Sequence, residues 1–329
     1  MIFTERGRAL VADHRVPTLG SDDVLIETAR TLISTGTELA VLDGKIPGVS
    51  LPFRPGYSNV GTVVDVGAGA SQTWIGRRVA SNSAHARYVA AGESSLRSIP
   101  SSMADNDHAA FFAIAEIVLN GVRRSGLQLG ECVVVFGLGL LGQLLTRLCR
   151  LGGARPVVAV DLSEERLALL PEDPLIVRVR GDRDHPAETT MRANNDRLAD
   201  IVFDVTGSYG AIVREFDCLR PEGRFVQLGS PRGAPSPFDL YTYCHLPSVS
   251  IIGAHYGSHP EVATPANPWT MRRHAELFFD LVASGEVDLE PLITRRTPYS
   301  EAATVYSELT AGAPHELGVV LTWTRDGTG

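Results

Sequence analysis

A glycine-rich turn is the arrangement in this sequence whose residue types and spacing specify chemistry most closely. The apolar run 132–136 is followed by Gly137, Gly139 and Gly142, in the spacing G-x-G-x-x-G, and then by the helical pattern 143–151. Between a strand and a helix, the first glycine permits a tight turn, the second lets the backbone approach a pyrophosphate, and the third allows close packing. The helix N-terminus then faces the anion. The pattern predicts a dinucleotide site.

An acidic residue in the expected place strengthens this prediction. Asp161 ends the apolar run 157–160, about 20 residues beyond the glycine turn, where such sites bind the ribose hydroxyls. A carboxylate about 4 Å from the 2′-phosphate of NADP would cost roughly 4 kcal/mol at an effective dielectric constant near 20. The sequence therefore predicts NAD rather than NADP. Arg166 would weaken that preference, unless it pairs with Glu164 or Glu165 on the helix surface.

Further candidates for contact with the cofactor flank these motifs or follow later apolar runs. They are Leu140, Leu141, Leu162, Thr206, Gly229 and Ser230.

A parallel sheet is needed to position these residues. Short apolar runs, most of them separated by segments that can hold a helix, occur at 133–136, 157–160, 201–205, 225–228 and 250–252. Such alternation builds a parallel sheet with right-handed crossovers. The predicted fold class is α/β, with a doubly wound parallel sheet.

A second, β-rich domain is predicted around this sheet. Short strands with turn signals occur at 23–29, 61–66, 78–80 and 86–90, and a long helix at 107–124 follows them. Helices at 272–283 and 300–310 and a strand at 317–323 are expected to return to the first domain. We therefore expect residues 1–115 and 262–329 to form one domain and residues 116–261 the other.

Composition excludes several classes of partner. The net charge of −8 argues against a nucleic-acid or anionic-membrane binder, because either needs a basic surface. The N-terminal residues show no signal-peptide pattern, and no apolar run is long enough to span a membrane. We expect a cytoplasmic protein with a small-molecule partner.

With these residues in view, the chain resembles the medium-chain dehydrogenase/reductase superfamily over nearly its whole length. Its members join a GroES-like β-rich catalytic domain to a Rossmann domain. The similar segments are the glycine turn, residues 32–38 (LISTGTE), 56–58 (GYS), 65–69 (DVGAG), 204–207 (DVTG) and 228–229 (LG). The string ISTGTE is similar to one in the zinc-lacking branch that contains the bacteriochlorophyllide dehydrogenases.

The zinc-binding positions of the superfamily are where the sequence departs from it. Cysteine, histidine, glutamate and a further cysteine are replaced by Thr35, Tyr57, Ser58 and either Phe112 or Ala113. Zinc in proteins takes thiolate, imidazole or carboxylate ligands. We therefore expect no zinc and no other metal.

Without zinc, the proton and charge of the substrate oxygen need other groups. The resemblance places Tyr57 at a metal-ligand position as a hydrogen-bond donor or acid, Thr37 at the start of a proton relay, and Thr35 as a neutral donor. Lys45 lies on the loop between these segments. A packed core tyrosine and a solvated loop lysine are the alternatives for Tyr57 and Lys45.

The remaining catalytic candidate is Glu116, inside an apolar helix, where a polar cavity or a salt bridge would explain it equally. The candidates for the substrate pocket are Asn82, His85, Asn120 and His255, although lone histidines are commonly structural.

The sequence thus predicts a zinc-independent, NAD(H)-dependent oxidoreductase that interconverts a secondary alcohol and a ketone, such as a cyclitol, a sugar derivative or another biosynthetic intermediate. The alternatives are an NADPH-type enoyl or quinone reductase and a non-catalytic dinucleotide-binding protein. A homodimer that pairs through residues 249–252 is expected by analogy with relatives, although a buried core strand would explain that segment as well.

Overall fold

The computed structural model describes residues 1–232, 235, 237–312 and 316–323 of the 329-residue chain. The chain divides into two compact units. Unit 1 comprises Met1–Ile114 and Thr270–Gly329, and unit 2 comprises Ala115–Trp269. Residues 262–269, which the sequence analysis placed in the first domain, therefore belong to unit 2. The guanidinium group of Arg123 lies 3.5 Å from the centre of the Trp269 ring, which attaches the end of this segment to unit 2.

The elements follow one another along the chain as listed here. The first 114 residues contain β1 (Ile2–Glu5), β2 (Arg8–Leu10), β3 (Asp23–Ile33), α1 (Thr35–Leu42), β4 (Asn59–Val66), β5 (Arg78–Ser81), β6 (Tyr88–Gly92), β7 (Arg97–Ser98), α2 (Asn106–Ala109) and the start of α3 (Phe112–Ser125). Unit 2 continues with β8 (Val133–Phe136), α4 (Leu140–Leu151), β9 (Val157–Asp161), α5 (Glu164–Ala168), β10 (Ile176–Arg180), α6 (Pro186–Ala193), β11 (Ala199–Asp204), α7 (Ile212–Phe216), β12 (Leu219–Gln227) and β13 (Ser250–Gly253). Unit 1 resumes with α8 (Met271–Ala283), β14 (Ile293–Pro298), α9 (Ala302–Thr310) and β15 (Gly318–Thr322).

Unit 1 contains a seven-stranded, mainly antiparallel sheet and a two-stranded antiparallel sheet formed by β1 and β2. The strand order of the larger sheet is β14-β15-β3-β4-β5-β7, with β6 also paired to β3; among the described residues its one parallel pair is β14 and β15. Buried and half-buried residues alternate along the first part of β3, as expected for a strand with one face on a core. A second apolar core joins α1 to α9 through Val41, Leu42, Val305 and Tyr306.

Unit 2 contains a six-stranded parallel sheet in the order β10-β9-β8-β11-β12-β13. Strands β8 and β9 are buried along their whole length, because helices cover both faces of such a sheet. The chain reverses its direction of progress across the sheet between β8 and β11. Ligands of doubly wound sheets bind at such a switch point, beyond the carboxyl ends of the strands. The predicted α/β class and doubly wound parallel sheet are confirmed.

One local prediction was wrong, and one strand was not predicted. The helix expected at 107–124 is two helices, α2 and α3, which are separated at residues 110–111. Strand β10 was not predicted, because Arg178 and Arg180 interrupt its apolar pattern; at the sheet edge these side chains reach polar partners, among them Glu172 and Asp182. In the described part of the chain, none of the helices has the length and apolar character that crossing a bilayer requires.

Candidate active site

The glycine turn lies between β8 and α4, at the carboxyl end of the parallel sheet. Gly137 has a φ of +90°, a left-handed conformation that favours glycine. A Cβ on Gly142 would lie 1.8 Å from the carbonyl oxygen of Gly137, so no side chain fits there. Gly139 is the N-cap of α4, no side chain caps this helix, and a Cβ on Gly139 would meet nothing within 4 Å. Open space beside uncapped amide groups fits a pyrophosphate.

The carboxylate of Asp161 is tied to this turn. Asp161 is 8% exposed, and its Oδ2 accepts a hydrogen bond of 2.6 Å from the amide of Leu138. Its Oδ1 accepts one of 2.8 Å from the amide of Ser163. Nη1 of Arg166 lies 3.7 Å from Oδ2, so Asp161 itself is a partner of this arginine. Each carboxylate oxygen has more than one lone pair, and the group can therefore still accept a bond from a ribose hydroxyl.

A second buried carboxylate organises the loop after β11. Oδ1 of Asp204 accepts hydrogen bonds from the amide and the hydroxyl of Thr206, each at 2.7 Å, and Oδ2 accepts one from Nε2 of Gln227 at 2.6 Å. The amide of Gly229 donates to the Asp204 carbonyl at 2.8 Å. A Cβ on Gly137 would lie 3.0 Å from the Thr206 nitrogen. The structure thus brings Gly137, Thr206 and Gly229 together at the carboxyl ends of the strands.

The other cofactor candidates lie in segments near the carboxyl ends of these strands. Leu140 is buried at the start of α4, and Leu141 beside it is half-buried. Leu162, directly after Asp161, is 62% exposed and offers an apolar surface. Ser230 is exposed, and its carbonyl oxygen would lie 2.7 Å from a Cβ on Gly207.

A third acidic group, Glu215, neighbours Asp204 in the interior of unit 2. Glu215 on α7 is completely buried, and neither of its carboxyl oxygens has a hydrogen-bond partner among the described residues. Burial and the neighbouring Asp204 carboxylate raise the pKa of Glu215 to about 9. Glu215 is therefore protonated at neutral pH, which avoids placing two charges side by side in the interior.

In unit 1, a cluster of buried polar groups surrounds Glu38, which is 2% exposed. Oε1 of Glu38 accepts a hydrogen bond of 2.8 Å from the amide of Ser34. Oε2 lies 3.0 Å from Nε2 of His85 and accepts a second bond from the hydroxyl of Tyr306. Burial and the Glu38 carboxylate raise the pKa of Tyr306 well above its ordinary value, so this phenol remains a donor. With Tyr57, described next, these residues form the Glu38 cluster.

Tyr57 is the half-buried member of the Glu38 cluster. Its hydroxyl donates to Oγ of Ser34, and Nδ2 of Asn82 donates to its carbonyl oxygen at 3.1 Å. Asn82 and His85, which were predicted to line a pocket, are thus next to the predicted acid. Asn82 hydrogen-bonds to the Tyr57 backbone, and His85 is buried and contacts Glu38. The arrangement suits a phenol that exchanges a hydrogen bond with a ligand.

Other predicted catalytic residues in unit 1 occupy different surroundings. Thr35 and Thr37 lie in the first turn of α1, Thr35 half-buried and Thr37 exposed. The side chain of Lys45 is 55% exposed, and its Nζ pairs with Asp43 at 2.7 Å.

The remaining candidates belong to unit 2. Glu116 is completely buried in α3. The Asn120 amide donates to the His255 carbonyl at 3.2 Å and to Oγ of Ser258 at 2.9 Å, so it fixes the turn at 255–258. His255 is exposed, and its Nδ1 accepts a bond of 3.1 Å from the amide of Gly257.

The residues at the zinc-ligand positions do not form a zinc site. The hydroxyl of Ser58 donates to the carbonyl of Ala110, and that of Tyr57 donates to Ser34. Phe112 and Ala113 are apolar and buried. Within the described ranges, no three histidine, cysteine, aspartate or glutamate side chains are grouped so that they could hold a metal ion. This set of donors does not fit a catalytic zinc ion.

Sequence reasoning missed four polar residues: Ser34, Glu38, Tyr306 and Glu215. Glu38 precedes the apolar run 39–42, a signal similar to the one that singled out Glu116. Glu215 follows Arg214 in α7 and therefore looks like one member of a charged pair on a helix surface. Ser34 and Tyr306 carry no comparable signal, because their roles depend on contacts that only the fold creates.

Comparison with known proteins identifies related families in both units. Residues 20–152 match the family described as alcohol dehydrogenase GroES-like domain, and residues 141–271 match the family described as zinc-binding dehydrogenase. The chain is 24% identical to D-arabitol-phosphate dehydrogenase of Enterococcus avium over 343 residues, covering 94% of this chain and 92% of that protein.

Two further comparisons are more limited in what they show. A protein named probable D-xylulose reductase A, from Aspergillus clavatus, is 29% identical over 206 residues, which are 60% of this chain and 52% of that protein. The structure of a candidate zinc-binding dehydrogenase from Sinorhizobium meliloti 1021, bound to NADP, superimposes with a TM-score of 0.84 at 22% identity and covers 98% of both chains. The latter shows that the fold is shared.

The buried Glu215 predicts a particular dependence of stability on pH. In the unfolded chain a glutamate has a pKa of about 4.3, whereas burial and Asp204 raise that of Glu215 to about 9 in the folded chain. Between these values the folded state binds the extra proton, so this group makes the free energy of unfolding fall as the pH rises. Urea denaturation between pH 5 and pH 9 should show a smaller fall for Glu215→Gln than for the wild type.

The exposed Glu188 offers a matched control, because Glu188→Gln should leave the wild-type pH dependence unchanged. Parallel curves for the wild type and Glu215→Gln would contradict the shared burial of Glu215 and Asp204.

Proposed function

Because the chain belongs to the zinc-type alcohol dehydrogenase group of the medium-chain dehydrogenase/reductase superfamily, we propose that it is an NAD(H)-dependent oxidoreductase that interconverts a secondary alcohol and a ketone without zinc. The observation that carries this proposal is the Tyr57 hydroxyl, which is hydrogen-bonded to Ser34 and half-buried. The resemblance aligns this residue with a zinc ligand of the superfamily. A group that can give and regain a proton thus takes the place of the metal.

The cofactor half of the proposal rests on the glycine turn and Asp161. The amides at the start of α4 would hold the pyrophosphate, and Asp161 would accept a ribose hydroxyl. The bound nicotinamide supplies hydride chemistry. Thr206 and Gly229, which the Asp204 hydrogen bonds keep at the carboxyl ends of the strands, would border the bound cofactor.

The chemistry left to the protein is the management of the substrate oxygen. When a carbonyl carbon gains a hydride, its oxygen gains negative charge and needs a proton. The Tyr57 hydroxyl can turn from Ser34 to the substrate oxygen and transfer its proton. The Ser34 hydroxyl can then donate to the tyrosine oxygen and offset its charge. Alcohol oxidation uses the same groups in reverse.

The substrate that we propose is a hydroxyl-rich alcohol or its ketone. Relatives named as a D-xylulose reductase and a D-arabitol-phosphate dehydrogenase support this class. Reduction of a conjugated C=C bond and cofactor binding without turnover are the competing outcomes of the test below.

Turnover without a metal is the first expectation. Purified protein should oxidise NADH in the presence of at least one ketone from a panel of pentuloses, hexuloses, their phosphates and inososes, followed by absorbance at 340 nm. Pre-incubation with 1,10-phenanthroline should leave the rate unchanged, because no described residues provide a zinc site. Loss of activity that added zinc restores would contradict the proposal; turnover on enones alone would support the reductase alternative.

A preference for NAD(H) is the second expectation, because the Asp161 carboxylate would repel a 2′-phosphate. We expect NADH to bind at least about tenfold more tightly than NADPH, a difference of about 1.4 kcal/mol, and Asp161→Ser to remove most of that difference. Titration calorimetry with both cofactors measures it, with the exposed Asp280→Ser as a control. Equal affinity of the wild type for both cofactors would contradict this preference.

A homodimer through β13 is the third expectation. This strand is at the edge of the parallel sheet, and its Ile251 is 47% exposed, whereas Val249, which directly precedes the strand, is buried. An uncovered sheet edge with an apolar side chain is suited to pairing with a second copy. Light scattering should give twice the chain mass of 35.3 kDa, and Ile251→Lys should give the monomer.

The control for the dimer is Leu129→Lys, since Leu129 is 84% exposed and away from β13 in the sequence. A monomeric wild type at micromolar concentration, or a dimer that survives Ile251→Lys, would argue against this interface.

A further inference from the structure

Glu38 is a buried carboxylate in unit 1 to which the proposed reaction gives no role. Its three donors come from separate segments: the Ser34 amide before α1, the His85 ring after β5, and the Tyr306 hydroxyl on α9. A carboxylate inside a protein is costly unless hydrogen bonds satisfy it. Because three chain segments supply donors to this one carboxylate, we looked for a functional role of Glu38 in addition to packing.

The partners of Glu38 are themselves held firmly in place. Gly56 has a φ of +103°, and a Cβ there would lie 2.8 Å from the carbon atoms of the His85 ring, so the ring packs directly on the glycine backbone. The Tyr306 ring is fully buried and meets Phe3 edge-on, with ring centres 5.0 Å apart. Glu38 thus has a fixed position between rigid neighbours.

Two hydrogen bonds lead from this fixed carboxylate to the proposed acid. The backbone amide of Ser34 donates a hydrogen bond to Glu38, and the hydroxyl of Ser34 accepts a hydrogen bond from the hydroxyl of Tyr57. Ser34, Glu38, His85 and Tyr306 are each at most 4% exposed, whereas Tyr57 is half-buried. Tyr57 is consequently the member of the Glu38 cluster that a substrate can reach.

We infer that Glu38 is a positioning residue for the proposed reduction, holding Ser34 in the place from which it orients the Tyr57 hydroxyl. His85 and Tyr306 support it by fixing its second oxygen. The inference rests on the proposed role of Tyr57 as acid, and no proton transfer to Glu38 is part of it.

A double-mutant cycle tests this inference with the ketone that gives the highest turnover. Tyr57→Phe should lower kcat by about 100-fold, the lower range for loss of a general acid. Glu38→Gln replaces one acceptor oxygen with an NH2 group, which opposes either the Ser34 amide or the His85 and Tyr306 donors. It should lower kcat by about tenfold or more, since small misplacements cost up to about 100-fold. In the Tyr57→Phe background the same change should alter kcat by no more than about twofold, because the group that Glu38 positions is gone.

Binding measurements and a control separate this role from a loss of structure. The Kd for NADH and the KM for the ketone should stay within about twofold of wild type for Glu38→Gln. Glu27→Gln is the matched control, since Glu27 also accepts a tyrosine hydroxyl, that of Tyr88, outside the cluster; its kcat should be unchanged. Tyr306→Phe keeps the ring and removes one donor, and serves if Glu38→Gln does not fold.

A readout that needs no substrate completes the test. With 3-fluorotyrosine at position 57, the 19F resonance should shift in Glu38→Gln and in Tyr306→Phe, but not in Glu27→Gln. An unmoved resonance in both cluster variants would overturn the inference, as would an equal loss of kcat in both backgrounds of the cycle. If Tyr57→Phe keeps wild-type kcat, the proposed function of Tyr57 fails first, and the inference fails with it.

Discussion

The hydrogen bond from the Leu138 amide to the Asp161 carboxylate joins the two motifs on which the cofactor half of the molecule depends. It links the turn after β8 to the end of β9, two strands that are neighbours in the sheet. The close approach of Gly142 to the Gly137 carbonyl sets the direction in which α4 leaves this turn. On the other side, the Asp204 carboxylate holds the loop after β11 against Gly137. Carboxylates satisfied by backbone amides thus shape the switch point of the sheet.

In unit 1, too, a buried carboxylate that is satisfied by hydrogen-bond donors organises the surrounding segments. Three of the positions that the resemblance aligns with zinc ligands carry hydroxyl groups, which are poor ligands for zinc. The buried carboxylate of Glu38 is satisfied by donors from three segments. A metal ion fixes its ligands by coordination. Here the Tyr57 hydroxyl is held by its hydrogen bond to Ser34, so in the proposed reaction a preorganised polar network would serve where a metal ion serves in zinc enzymes.

The sequence was informative wherever function depends on the local backbone. The glycine turn, the strand before it and Asp161 could be located because spacing alone constrains a strand–turn–helix unit. It was less informative where contacts are distant in the chain. The meeting of Glu38 with Tyr306 joins α1 to α9, and that of Glu215 with Asp204 joins two elements of the parallel sheet domain. No periodicity encodes such pairs, and Lys45, which looked reactive, instead pairs with Asp43 at the surface.

The most direct test of the account is hydride transfer by protein whose metal content is known. Protein prepared without added metal should be analysed by plasma mass spectrometry and then incubated with the best ketone and NADH that carries deuterium at both hydrogen positions of C4. The account predicts deuterium on the carbinol carbon of the product from protein that contains far less than one zinc ion per chain. Product without deuterium, or turnover that rises in proportion to bound zinc, would contradict it.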